Sequence, residues 1–302
     1  MKYFYLNCQK IRNLIMPSRN CLVIGLGGIG YWHASSFALN GFSVSYIDPY
    51  VETNEFDKIE QINSFSGEVI IIATTSKHRA YYINEIEKNF KNCTVILEKP
   101  FFYNRQEYLN FKQKNLHNNY FINLVLDPVI TNILSRNNSL PPKKISIHGS
   151  NWGLTCNILH DISILGGFVS EFTVFKFICS NNLRLINSKR KGFYEITGEI
   201  EFKIDNTIFQ IRNYNKNTKK KYITITFEDC SYKLDYYHQH ITYRSQNKTN
   251  RQIFEIPKAS THSYYFYESG MLPLALKYID VSLALYSNLS LSCNLNDEYP
   301  FT

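Results

Sequence analysis

The run Cys21–Ala34, CLVIGLGGIGYWHA, constrains this chain more than any other stretch. Cys21–Ile24 is an unbroken apolar segment, the composition of a strand buried on both faces in a parallel sheet. Gly25, Gly27 and Gly30 follow at once in the spacing G-x-G-x-x-G, and a helical pattern runs on through Ala38. A strand that turns through this spacing into a helix has the form of a dinucleotide-binding turn. Gly25 allows the tight turn, Gly27 lets backbone approach a pyrophosphate, and Gly30 lets helix and strand pack closely. The helix start offers free N–H groups and a positive dipole end to phosphate, which adds Gly28 and Ile29 to the candidate contacts. Taken alone, the spacing would equally describe an unrelated glycine-rich turn.

Asp48 adds weight to the first reading. It closes the next apolar run, Ser43–Ile47, close to the separation of roughly 20 residues expected of the acid that binds a ribose. A carboxylate there accepts from both ribose hydroxyls and repels a 2′-phosphate, so NAD is favoured over NADP. The pattern then repeats. Val69–Ala73 ends in Thr74-Thr75-Ser76 before a helix pattern over Lys77–Phe90. Thr94–Leu97 ends in Glu98-Lys99-Pro100 before another over Gln106–Leu116, and Tyr120–Leu124 reads as a fifth strand. Strands alternating with helices predict a doubly wound parallel sheet with its ligand beyond the carboxyl ends of the strands. One rim then carries Gly25–Gly30, Asp48, Thr74–Ser76 and Glu98–Lys99.

Past residue 128 the pattern changes. Pro128–Ser135 suggests a short helix, Lys144–Ser150 a strand, and Thr155–Leu165 a helix ending at Gly166-Gly167. From Glu171 to about Ile256, strand-like runs are separated by polar turns, an antiparallel meander. A last helix is expected over about His262–Tyr286. The predicted fold is thus an α/β Rossmann domain over 1–125 and an α+β domain over 126–302 with a large, mostly antiparallel sheet.

Composition narrows the function classes. The chain has 302 residues, 44% hydrophobic and 15% aromatic, enough for two globular domains. The net charge of +8 comes with no nucleic-acid motif, and the one basic run, Lys219–Lys221, reads as a solvated hairpin. No apolar run approaches the ~20 residues of a membrane span. Within residues 1–20 the longest apolar patch, Leu14–Met16, is too short for a signal-peptide core, so this segment is expected to be a helix beside the first strand or a partly ordered extension. Seven scattered cysteines without a CxxC suit a reduced, cytoplasmic protein. His238 and His240 share a strand face but lack a third ligand, so no metal is expected. Arg184, Arg212, Arg244 and Arg251 are candidates to bind a sugar's phosphate, but read more readily as surface charges on the meander.

These motifs together resemble the Gfo/Idh/MocA family of glucose–fructose oxidoreductases and inositol dehydrogenases. Gly25–Ala34 is similar to the family's G-x-G-x-I-G-x-x-H-A, and Ala73–His78 to its A-T-x-x-x-H. Glu98-Lys99-Pro100 matches its E-K-P. Asn123–Pro128 is similar to its N-x-R-x-x-P, with Val125 in the arginine position. Asn151–Asp161 resembles the helix that carries the family's catalytic histidine, here His160. Trp152-Gly153 and Asn157 look like a branch found among bacterial surface-polysaccharide genes.

The resemblance implies NAD(P)-linked oxidation or reduction of a sugar, polyol or nucleotide-sugar carbinol, and a homo-oligomer, dimer or tetramer, formed through the large sheet. It implies Lys99 and His160 as catalytic residues and Lys99, Trp152, Asn157 and His160 as substrate contacts. Thr74, Thr75, His78, Glu98 and Lys99 join Asp48 and the glycine turn as cofactor contacts. Residue chemistry agrees with these roles. Carbinol oxidation needs a hydride acceptor, a donor to the alkoxide and a base. A lysine ammonium can donate throughout, and an imidazole is the better proton acceptor near neutral pH. Glu98 is expected to contact the cofactor or orient Lys99, and Pro100 to redirect the chain through a cis bond. Thr74 and Thr75 also read as helix caps, and His33 and His78 as packing or capping residues. One departure stands out: the family has Asp four residues before the histidine, and this chain has Cys156. That departure motivates an alternative, a non-catalytic NAD-binding sensor or partner protein with the same fold.

Overall fold

The computed structural model describes residues 19–124, 140–150, 153–188, 191–214, 221–235, 240–245, 249–253, 264, 267–268, 270 and 272–295. Residues 1–18, Val125, Pro128–Ser135, Trp152 and His238 lie outside these, so the expectations for them do too. Chain contacts separate two compact units. The first takes the described residues of Met1–Phe101, Gln113–Asn123 and Lys258–Ala275. The second takes those of Phe102–Lys112, Leu124–Pro257 and Leu276–Thr302.

The first unit is built on six strands: β1 (Asn20–Ile24), β2 (Ser43–Ile47), β3 (Asp57–Lys58), β4 (Val69–Ile72), β5 (Thr94–Leu97) and β6 (Asn119–Ile122). All adjacent pairs are parallel, in the order β3-β2-β1-β4-β5-β6. The reversal of direction on either side of β1 makes the crevice at its carboxyl end the place where such sheets bind ligands. Helices α1 (Gly28–Leu39) and α2 (Ser76–Asn89) follow β1 and β4. Cys21–Ile24 and Val69–Ile72 are fully buried, which is why these segments show no alternation in the sequence. Each such side chain contributes roughly 1.5–3 kcal/mol. The chain returns late to this unit: Ile122 N–H donates to the Pro273 carbonyl at 2.9 Å. Arg19 lies over the Phe42 ring at 4.5 Å and the Tyr267 ring at 5.3 Å, contacts that add to apolar packing.

The second unit holds α3 (Arg105–Gln113, bar its last residue), α4 (Leu154–Gly166) and all but the first residue of α5 (Ala275–Ser292). Its eight strands are β7 (Lys144–Ser150), β8 (Phe175–Asn187), β9 (Tyr194–Ile204), β10 (Thr207–Tyr214), β11 (Lys221–Thr226), β12 (Cys230–Asp235), β13 (His240–Ser245) and β14 (Thr249–Ile253). The order is β14-β13-β12-β11-β7-β10-β9-β8, antiparallel except for the parallel pair β10–β7. Period-two patterning puts Ile145, Ile147, Phe209, Ile211, Ile223 and Ile225 in the core. The Phe202 and Phe209 rings stack at 5.0 Å. Helix α4 buries Leu154, Ile158, Leu159, Ile162 and Leu165.

Two sequence expectations are corrected here. The expected last helix is interrupted: residues 264, 267 and 268 are helical, Gly270, at φ +66°, and Pro273 break the pattern, and the final helix runs from Ala275 to Ser292. Lys221 is no solvated charge: its ammonium is 2.6 Å from the fully buried Asp161 carboxylate on α4. Burial raises the Asp161 carboxyl and outweighs the opposing pull of Lys221. Among the described residues no helix is long and apolar enough to cross a membrane.

Candidate active site

The glycine turn has the geometry its spacing requires. Gly25 sits at φ +90°, and a Cβ there would lie 2.9 Å from Thr74 N. A Cβ on Gly30 would lie 1.8 Å from the Gly25 carbonyl oxygen, so helix and strand approach to a distance only glycine permits. Gly27 and Gly28 are different: both are exposed, and a Cβ on either would meet nothing within 4 Å. Among the described residues no side chain caps α1, and no acid occupies its first turn. Its amino end therefore presents N–H groups and open space, a cradle for a diphosphate. Ile29 is half-buried within the same turn.

Asp48 lies at the carboxyl end of β2. One carboxylate oxygen accepts from Leu26 N–H at 2.7 Å and the other from Tyr50 N–H at 2.8 Å. These bonds fix the carboxylate against the glycine turn, and each oxygen keeps a second acceptor site for a ribose hydroxyl. Beside it a cavity of about 370 Å³ is lined in part by Ile47, Ile62, Tyr81, Tyr82 and Glu85. Burial, with the charges of Tyr81 and Asp48, raises the Tyr82 phenol, so it remains a hydroxyl donor at neutral pH. The loop 48–56 carries Asp48, Glu52 and Glu55 and no lysine or arginine, and β3 follows with Asp57 and Lys58. Tyr31, on α1, ties this loop down by donating to Glu55 at 2.5 Å.

At the ends of β4 and β5 the polar groups interlock. His33, fully buried on α1, is bonded through Nε2 to Glu98 Oε1 at 2.8 Å. The Asn123 amide donates to the same oxygen at 2.6 Å. Burial would raise the Glu98 carboxyl, but the His33 hydrogen bond and charge, Lys99 and Asn123 together hold it down to about 2. Glu98 is thus a fixed anion gripped from α1 and from the end of β6. Arg79, buried on α2, donates to the Thr74 carbonyl at 2.8 Å and to the Glu98 carbonyl, clamping two strand ends together. Sequence reasoning passed over Arg79; its neighbour His78 carries the motif and is exposed. Thr75 holds the N-cap position of α2, yet its hydroxyl makes no capping bond. Thr74 Oγ1, Ser76 Oγ and Asn123 Oδ1 are buried without a partner among the described residues. Lys99 is half-buried after β5, and the Lys99–Pro100 bond is cis as expected. The donors and orphaned groups on this rim fit a nicotinamide dinucleotide: glycine cradle, ribose acid, and unpaired polar atoms at the far strand ends.

The Glu98 geometry sets a pH dependence. Its folded value of about 2 lies below the ordinary 4.5, so the unfolded chain binds more protons between these values. The stabilisation is complete above the ordinary value and is lost as pH falls toward 2, an effect of about 3 kcal/mol. Denaturant unfolding should therefore show the stability gap between wild type and Glu98→Gln shrinking across that window. A gap independent of pH would contradict the assignment.

In the second unit, His160 and Asn157 are half-buried on α4, and the Asn157 amide donates to the Gly153 carbonyl at 3.2 Å. Asp161 faces Lys221. His160 and Lys99 belong to different units. Among the described residues no group of three His, Cys, Asp or Glu could hold a metal ion.

A six-stranded parallel sheet in one unit and a large mixed sheet in the other are the two halves of a fold that solved oxidoreductase structures share. No family model and no curated protein matches the chain by sequence. Solved structures match it by fold. UDP-N-acetylglucosamine 3-dehydrogenase GnnA from Acidithiobacillus ferrooxidans aligns with a TM-score of 0.69 at 12% identity, over 89% of this chain and 97% of that one. The dehydrogenase MviM from Clostridium difficile aligns with 0.66 at 12%, over 92% and 100%. KijD10, a 3-ketoreductase from Actinomadura kijaniata in complex with NADP and TDP-benzene, aligns with 0.63 at 11%, over 88% and 95%.

Proposed function

We propose that the chain is a nicotinamide-dependent oxidoreductase acting on a carbinol or carbonyl carbon of a sugar or nucleotide-linked sugar. The observation that carries this reading is the open cradle at Gly27 and Gly28 with Asp48 bonded against it. The solved neighbours support the substrate class, since one is a UDP-N-acetylglucosamine 3-dehydrogenase and another a 3-ketoreductase in complex with TDP-benzene. In this reading residues 1–125 bind dinucleotide and 126–302 bind substrate and form a dimer or tetramer through the large sheet, in the cytoplasm.

Gly25, Gly27, Gly28, Ile29 and Gly30 would hold the diphosphate, and Asp48 a ribose. Thr74, Thr75, His78, Glu98 and Lys99 would line the nicotinamide side. When bound, the nicotinamide supplies the hydride acceptor or donor. Lys99 donates a hydrogen bond to the substrate oxygen and stabilises charge as it develops there. His160 takes the hydroxyl proton during oxidation and returns it during reduction. Asn157 and Trp152 orient the sugar. Glu98, already bonded to His33 and Asn123, keeps the β5 end that bears Lys99 in place.

The acidic loop 48–56 favours NAD(H). NADH should bind on the order of 10- to 100-fold more tightly than NADPH, because a 2′-phosphate would face like charge. Fluorescence titration with both would read this, and equal affinities would contradict it. The activity itself is tested by supplying NAD(H) with a panel of UDP- and TDP-linked hexoses and their keto forms. Nicotinamide oxidation or reduction with one of them supports the enzyme. Tight NADH binding with no exchange for any would favour the sensor reading that Cys156 raises.

A further inference from the structure

Helix α4 and its N-cap Gly153 present one face at positions 153, 156, 157 and 160, spaced over two turns. Their residues are Gly, Cys, Asn and His, so this face has no acid of its own. A carboxylate arrives from elsewhere. Glu195, on β9, is 8% exposed. A Cβ built on Gly153 would lie 2.2 Å from its Oε2 and 2.4 Å from its Cδ. The Glu195 carboxylate thus occupies the space that a side chain at 153 would fill. Gly153 is at φ +61°, where glycine is at ease, and its carbonyl holds the Asn157 amide.

We infer that Glu195 is a positioning residue for His160, bringing to the head of the Asn157–His160 face the carboxylate that this face lacks. This rests on the reading of His160 as the proton acceptor. Helical side chains lean toward the amino end, so the imidazole leans toward Glu195. A buried anion at that end favours the imidazolium through space. Among the described residues, two other charged groups packed on α4 are engaged differently. Asp161 is paired with Lys221 from β11, and the Lys277 ammonium from α5 donates to the Gly166 and Val169 carbonyls at the far end.

The test needs no substrate. In the full chain, NMR follows the His160 imidazole through a pH titration, with His160→Gln to assign the signal. Glu195→Gln should lower its midpoint by about half a unit or more, as expected for loss of one nearby negative charge. Glu195→Asp, which keeps the charge, should leave it near the wild-type value. An unmoved midpoint in Glu195→Gln overturns the inference, including the case where only thermal stability drops, since that is what a plain helix-capping carboxylate would do. NADH titration of the same proteins judges the proposed function separately: a shifted midpoint without dinucleotide binding would sink the function and leave Glu195's role standing.

Discussion

Gly30→Ala is expected to cost the fold on the order of 3–5 kcal/mol and to remove measurable dinucleotide binding. The new methyl would stand 1.8 Å from the Gly25 carbonyl oxygen and 3.2 Å from the Ala73 Cβ. Neither is the end of a flexible side chain. Gly25 has little room to retreat, because its own amide donates to the Ile47 carbonyl at 2.9 Å and its other side faces Thr74 N. Relief must come from parting α1 from β1, which opens the core around Ala34 and Phe37. Gly27→Ala is the matched control. Gly27 lies at φ −65°, ordinary for alanine, and its Cβ would meet nothing. That variant should keep its stability within about 1 kcal/mol while losing affinity for NADH, since the methyl projects into the cradle. Denaturant unfolding and NADH titration on both variants read the two effects. A stable Gly30→Ala, or a Gly27→Ala that binds as wild type, would contradict this account of the turn.

Lys99→Ala should lower turnover about 100- to 10,000-fold with the active nucleotide sugar, the range for losing a positioned donor. NADH affinity should fall far less, by no more than about 10-fold, because the glycine turn and Asp48 are untouched and Lys99 is one of several contacts on the nicotinamide side. The fold should tolerate the change: Lys99 is half-buried, and the strand end beneath it is held independently by Arg79, His33 and Asn123. The split between lost turnover and kept binding separates a catalytic lysine from a structural one. Undiminished turnover would remove Lys99 from the chemistry.

The parts of this molecule that were legible in the sequence are those where local chemistry decides the outcome. Cys21–Ile24 and Val69–Ile72 announce buried parallel strands because every residue is apolar, and Gly25 and Gly30 announce a turn that other residues cannot make. Expectation failed where partners come from distant segments. Nothing near Lys221 signals Asp161, which lies 60 residues away on α4. Arg79 looks like any helical surface arginine until two strand ends direct their carbonyls at it. His33 reads as a packing residue, and only the fold shows that it grips Glu98. Glu195 carries no motif at all; its place against Gly153 follows from sheet register, which alternation alone leaves open.

The most direct trial is mass spectrometry of the small molecules released from the native, folded chain, followed by NADH titration of the stripped protein. NAD or NADH should be released, or should rebind at one molecule per chain with NADPH clearly weaker. A folded chain that releases neither dinucleotide and takes up neither would contradict the account at its root.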